Sequence, residues 1–143
     1  MLLLDAKEKS GLAVRFESHV LGDDTQREIV SVLEEETGLS RRRIKDAMQK
    51  GAVWLTGVRG TQRVRRWRKT LESAETVHFY FDEDVLSEVP PAAELISDEG
   101  AYSVWNKPFG MRSQGSKWAD HCTITRWAEQ NLHTFRPAVL VHR

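Results

Sequence analysis

"LSRRRIKDAMQKGAVWLTG", residues 39–57, decides how the first half of the chain is read. Ser40 is a good helix N-cap, because its hydroxyl can accept a first-turn N–H. Ile44, Ala47 and Met48 fall at i, i+3 and i+4, so they form one apolar stripe on a helix over "RRRIKDAMQK". Lys and Arg cover the rest of that helix. Gly51 suits its stop, and "AVWL" then reads as a short strand. Arg41, Arg42 and Arg43 crowd the helix start, where the macrodipole is already positive. A sequence that keeps this conflict points to another use for the charges, such as contacts to phosphates.

Outward from that stretch, "RFESHV" (15–20) alternates like a strand and "GDD" turns the chain. Thr25 and Glu28 have the spacing of a capping box, which predicts a helix starting near Thr25. Ile29, Val32 and Leu33 lie on its buried face, and Gly38 stops it. On the other side, "TGVRG" is a turn and "TVHFYFD" (76–82) a strand rich in β-formers. Residues 83–100 are acidic, contain Pro90-Pro91 and read as a linker or surface arm. "AYSVWNKP" then reads as a strand stopped by Pro108, "FGMRSQGSKW" as a loop, and "TITRWAEQNL" as a helix capped by Thr123. Ile124, Trp127 and Ala128 share one face of it. "PAVLVHR" (137–143) has the composition of a buried strand, yet no turn follows it.

The net charge is zero, but the charges are sorted along the chain. From Arg41 to Lys69 there are eleven Lys or Arg against one acid, Asp46; from Thr70 to Val104 there are nine acids and no Lys or Arg. A block this basic lowers the free energy of polyanion binding by releasing condensed counterions. It is equally compatible with a solvated helix face and exposed loop, neutralised by the acidic flanks. "VRGTQRVRRWRK" (58–69) places Arg59, Arg63, Arg65, Arg66, Arg68 and Lys69 around Trp67. Arginine beside an exposed aromatic suits backbone contacts and stacking on unpaired bases; alternatively, Trp67 packs into the core.

The residue 39–57 stretch resembles the small RNA-binding domain named after the fourth protein of the small ribosomal subunit. The resemblance rests on the Ser-Arg helix start, the apolar anchor, Gly51-Ala52-Val53 and Thr56-Gly57 where Asn-Gly is usual, and it covers roughly residues 15–82. The first helix departs from that family, being acid-rich and lacking an Arg-Leu-Asp opening, and Ser73-Ala74-Glu75 replaces a Gly-Asp turn. Further on, Asn106-Lys107-Pro108-Phe109-Gly110 after a strand resembles the opening strand and loop of the pseudouridine synthase catalytic domain. His142 and Arg143 match the first half of the His-Arg-Leu-Asp motif of the RluA-type enzymes, whose aspartate is catalytic. A glycine usually precedes the arginine in the RsuA type, so His142 favours RluA.

The resemblance implies an α+β chain. Its parts are an N-terminal extension (1–14), an RNA-binding domain of two helices and a short antiparallel sheet (15–82), an acidic linker (83–100), and the incomplete start of a mixed α/β catalytic domain (101–143). It implies isomerisation of uridine within rRNA or tRNA: the base is detached, rotated and rejoined through carbon. The reaction uses an aspartate and no metal or organic cofactor. The expected RNA-binding residues are Ser40, Arg41, Arg42, Arg43, Lys45, Lys50, Arg59, Arg63, Arg65, Arg66, Arg68 and Lys69. Asn106, Lys107, Pro108, Gly110 and Arg143 would belong to the active-site region. With no catalytic aspartate after His142-Arg143, residues 1–143 alone are expected to bind RNA without turnover, and the chain is expected to be a truncated fragment. Val139, Leu140 and Val141, lacking the rest of a catalytic sheet, are expected to be exposed, frayed or self-associating.

Other chemistries fit less well. The glycines of "GMRSQGSK" have P-loop spacing, but Ser116 stands where the loop needs Lys. Asp120, His121 and Cys122 are sequence neighbours, which rarely face one another as a nucleophilic site requires. Cys122, His121, His133 and His142 have no recognised metal-ligand spacing. A single cysteine forbids an internal disulfide and fits a cytoplasmic protein. No stretch approaches a membrane span. RNA is thus the expected partner, with no DNA and no membrane, and the chain is expected to be a monomer. Two competing classes remain: a stand-alone RNA-binding or ribosome-associated module, and a protein-interaction domain using the acidic segment 82–99.

Overall fold

A computed structural model describes residues 13–142 and has an α+β fold with four helices and two antiparallel sheets among them. The chain forms two compact units: one runs to Ser87 and takes in Lys117–Ala119, and the other consists of Glu88–Ser116 with the residues from Asp120 onward. The first unit therefore extends past residue 82 and recruits three residues from the later loop. Residues 1–12 of the expected extension, and Arg143, lie outside the described residues.

In the first unit the elements run β1 (Arg15–Leu21), α1 (Ile29–Thr37), α2 (Arg41–Lys50), β2 (Val53–Gly57), β3 (Gly60–Arg63), β4 (Thr76–Asp82) and α3 (Glu83–Ser87). The strands form one sheet in the order β1-β4-β2-β3, with every pairing antiparallel. Alternation along β4 turns Val77, Phe79 and Phe81 to the core, where they meet Val53 and Leu55 of β2. The helices cover that face: Ile29, Val30 and Leu33 of α1 and Ile44, Ala47 and Met48 of α2 are fully buried in the same cluster.

Local signals set α2 as the sequence predicts. The Ser40 hydroxyl accepts the Arg43 N–H at 3.4 Å, and Gly51 closes the helix at φ 93°, a left-handed angle that a side chain would strain. The start of α1 differs from expectation. The helix begins at Ile29, with Glu28 as N-cap and no side-chain cap bond. Asp23 captures Thr25 instead, accepting its N–H at 3.0 Å and also bonding its hydroxyl. The Glu28 carboxylate, which a capping box would need, reaches Arg41 at 3.1 Å. Gly22 is required by close approach: a Cβ there would stand 2.1 Å from the Glu72 carbonyl oxygen.

In the second unit β5 (Glu94–Asp98) pairs antiparallel with β6 (Ser103–Asn106), and α4 (Ile124–Asn131) follows. Residues 83–100 are therefore not a plain linker, because they hold α3 and β5. Strand β5 is almost wholly exposed, so its acidic composition hides a ladder visible only through its partner. The α4 start agrees with expectation: the Thr123 hydroxyl accepts the Arg126 N–H at 3.2 Å, and Ile124 and Ala128 are buried, with Trp127 half-buried. The expected terminal strand is absent. Described residues 137–142 pair with no strand, and Val139 and Val141 are 86% and 97% exposed.

Candidate nucleic-acid interface

With Ile44, Ala47 and Met48 committed to the core, α2 turns Arg42, Lys45 and Gln49 outward on one face at i, i+3 and i+7. The loop after β3 is fastened beside that face. Val64 is buried and anchors it. Gln49 Nε2 donates to the Arg65 carbonyl at 3.1 Å, and Arg65 Nη1 donates to the Gln49 carbonyl at 2.8 Å. Trp67 packs half-buried against the core cluster. Its ring carries Lys45 Nζ at 4.0 Å and the Arg68 guanidinium at 4.5 Å from the centroid. Such interactions are worth about 0.5–1 kcal/mol at exposed sites. Helix and loop thus form one continuous basic surface, with Arg42, Arg66 and Arg68 exposed.

The expected RNA-binding cations divide into two sets. Arg41 turns toward α1 and is held by Glu28 at 3.1 Å, Glu34 at 3.3 Å and the Ser31 hydroxyl at 3.0 Å. Arg43 binds Glu83 at 2.6 Å, and Lys50 binds Asp46 and the Leu86 carbonyl, both at 2.8 Å. Lys69 lies 3.2 and 3.4 Å from Glu72 and Glu75. Arg63 lies on the opposite side of the sheet, over Trp54 at 4.2 Å. By contrast, Arg42, Arg59 and Arg66 are exposed and make no ion pair among the described residues. Arg59 sits at the tip of the β2-β3 hairpin. Ser40 shapes the helix rather than the surface, because its hydroxyl faces the Arg43 amide.

The second unit holds the other expected group. Asn106 ends β6 and bonds Glu94 at 3.4 Å. The Pro108 carbonyl accepts the Met111 N–H at 3.3 Å, and Gly110 takes φ 85°, so the segment is a tight turn around a fully exposed Phe109. Lys107 Nζ donates to the Met111 carbonyl at 2.7 Å. Lys107 and His142 line the same cleft of about 440 Å³, whose walls are otherwise mostly apolar: Val104, Trp105, Ile124 and Val139–Val141.

The Asp120-His121-Cys122 run does not assemble a nucleophilic site. Cys122 is buried, and His121 Nε2 meets the Glu88 carbonyl at 2.8 Å. Arg112 grips Glu88 at 2.6 and 2.9 Å, and that hydrogen bonding holds the Glu88 carboxyl below its usual range. Among the described residues no group of three or more His, Cys, Asp or Glu could hold a metal ion, and no helix is long and apolar enough to cross a membrane.

Sequence reasoning missed the aromatic outer face of the first sheet, where Trp54, His78 and Tyr80 occupy the outward positions of β2 and β4. The signal was the alternation itself: "AVWL" and "TVHFYFD" put rings where an exposed face usually carries polar side chains. The chain matches no family model, no curated protein and no solved structure.

Proposed function

We propose that the first unit binds the backbone of structured RNA through α2 and the loop beside it. The observation that carries this reading is the meeting of Lys45 and Arg68 over the Trp67 ring, with Arg42 on the same outward helix face as Lys45 and Arg66 exposed in the loop. Flexible cations held over a ring suit phosphate oxygens, and they supply affinity without reading sequence. Arg41, Arg43, Lys50 and Lys69 serve the fold, since carboxylates already hold them.

The activity we propose is RluA-type pseudouridine synthesis in rRNA or tRNA, in the cytoplasm. It is supported by the order of the basic module, Asn106-Lys107-Pro108-Phe109-Gly110 and His142-Arg143 along the chain. That Lys107 and His142 share one cleft agrees with it. The target uridine would have to leave its stack, at a cost of a few kcal/mol in a duplex. Affinity from the first unit would offset that cost. The test is tritium release from RNA carrying uridine tritiated at its C5 position, using the gene product in its native length. Release supports the synthase. Tight RNA binding without release leaves the second reading, a stand-alone RNA-binding module, which the first unit's own buried core favours.

A further inference from the structure

We propose that the outer face of the β1-β4-β2-β3 sheet is a second RNA surface, a stacking platform for unpaired bases built on Trp54 and Tyr80. The proposal rests on the reading of the chain as an RNA-binding protein, but it uses none of the α2 residues. An antiparallel sheet with helices on one face normally shows polar side chains on the other. Here the two central strands, β4 and β2, place His78, Tyr80 and Trp54 there, with Trp54 directly opposite His78. All three are only partly buried.

Cations interleave with these rings. The Arg63 guanidinium lies 4.2 Å from the Trp54 centroid, and Lys117 Nζ lies 4.8 Å from that of Tyr80. Lys117 belongs to the short segment that the first unit recruits, and Trp54 Nε1 donates to its carbonyl at 2.9 Å. Trp118, next in that segment, stands edge-on to Tyr80 at 5.8 Å and carries Arg15 at 4.2 Å. Glu17 pairs with Lys117, so that ammonium is held over the rings rather than extended into solvent. Rings for bases beside cations for phosphates are the combination by which sheets bind single-stranded RNA. Any occupant of the ring faces has to displace these cations, two of which are shared with carboxylates, Lys117 with Glu17 and Arg15 with Asp82. An apolar protein partner or a lipid tail offers them no anion in exchange. A phosphodiester chain complements them, and this argues for RNA as the occupant. The sheet separates this face from α2, so the two surfaces can act independently.

Ultraviolet crosslinking of the 143-residue chain to a uridine dodecamer, followed by peptide mapping, tests the platform. The expected adducts lie on Trp54, Tyr80 or Trp118, and they persist in the R42A/K45A/R66A variant. Adducts confined to Trp67 and its loop, or no adducts, overturn the proposal. As a second readout, Trp54→Thr keeps a β-forming residue and should weaken dodecamer binding about tenfold, as expected for the loss of one stacked base. It should leave affinity for a hairpin RNA unchanged. Unchanged dodecamer affinity in a variant with the wild-type melting profile contradicts the platform. The two readings fail separately: the α2 surface is tested by hairpin affinity in the triple variant, and the platform by the adduct map.

Discussion

Lys45 Nζ sits 4.0 Å above the Trp67 ring and so ties the outward face of α2 to the loop that follows β3. The two residues are far apart in sequence, yet they fix one basic surface. The ring is held from beneath by the core, and Lys45 and Arg68 meet on it. A surface built this way keeps its cations in place before RNA arrives, which reduces the ordering cost of binding.

Arg41 and Arg42 are neighbours with different expected roles. Arg41→Ala removes the bonds to Glu28, Glu34 and Ser31, and should lower stability by about 1 kcal/mol, the upper end for partly exposed ion pairs. Arg42→Ala should leave the melting temperature unchanged and weaken RNA binding. Chemical denaturation and RNA titration of both variants check the division.

The core of the first unit depends on α2 staying seated. Met48 is fully buried, so Met48→Ala should cost about 2–5 kcal/mol and reduce RNA affinity only through unfolding. Ser40→Ala should cost about 1 kcal/mol, because one first-turn N–H loses its acceptor. Urea denaturation gives both values, and the order of the two effects is the sharper check.

His78 makes stability pH-dependent. Its Nδ1 faces His19 Nδ1 at 2.8 Å and its Nε2 faces the Thr56 hydroxyl at 2.7 Å. Burial first, then the neighbouring His19, lowers its pKa below the ordinary 6.5. The unfolded chain therefore binds a proton at a pH where folded His78 does not. Stability is full above that ordinary value, falls as pH drops below it, and levels off below the lowered folded pKa. His78→Gln should flatten this part of the pH–stability curve, read from thermal melts across the histidine range.

Helix α2 is legible in the sequence because its signals are local: a cap at Ser40, a stripe at Ile44, Ala47 and Met48, and a stop at Gly51. The same holds for Thr123 and α4. The start of α1 is not, because the Glu28 carboxylate is claimed by Arg41, thirteen residues on. Strand β3, "GTQR", has no apolar alternation and is a strand only because β2 pairs with it. Strand β5 reads like a linker for the same reason: its ladder depends on β6. "PAVLVHR" has strand composition, but among the described residues no strand edge receives it. Within the candidate interface, charge alone could not separate Arg42 from Arg41 or Arg43. That distinction depends on carboxylates at positions 28, 34 and 83, which only the fold brings near.

The most direct test of the α2 surface is the salt dependence of hairpin RNA affinity, compared between the wild type and R42A/K45A/R66A. Removing one phosphate-neutralising cation should shallow the log–log slope by about 0.7–0.9. The slope in the triple variant should be shallower by roughly two to three, with a melting temperature lowered only by the loss of the Lys45–Trp67 contact, worth about 0.5–1 kcal/mol. An unchanged slope in a fully folded triple variant would contradict this and remove α2 as the RNA face.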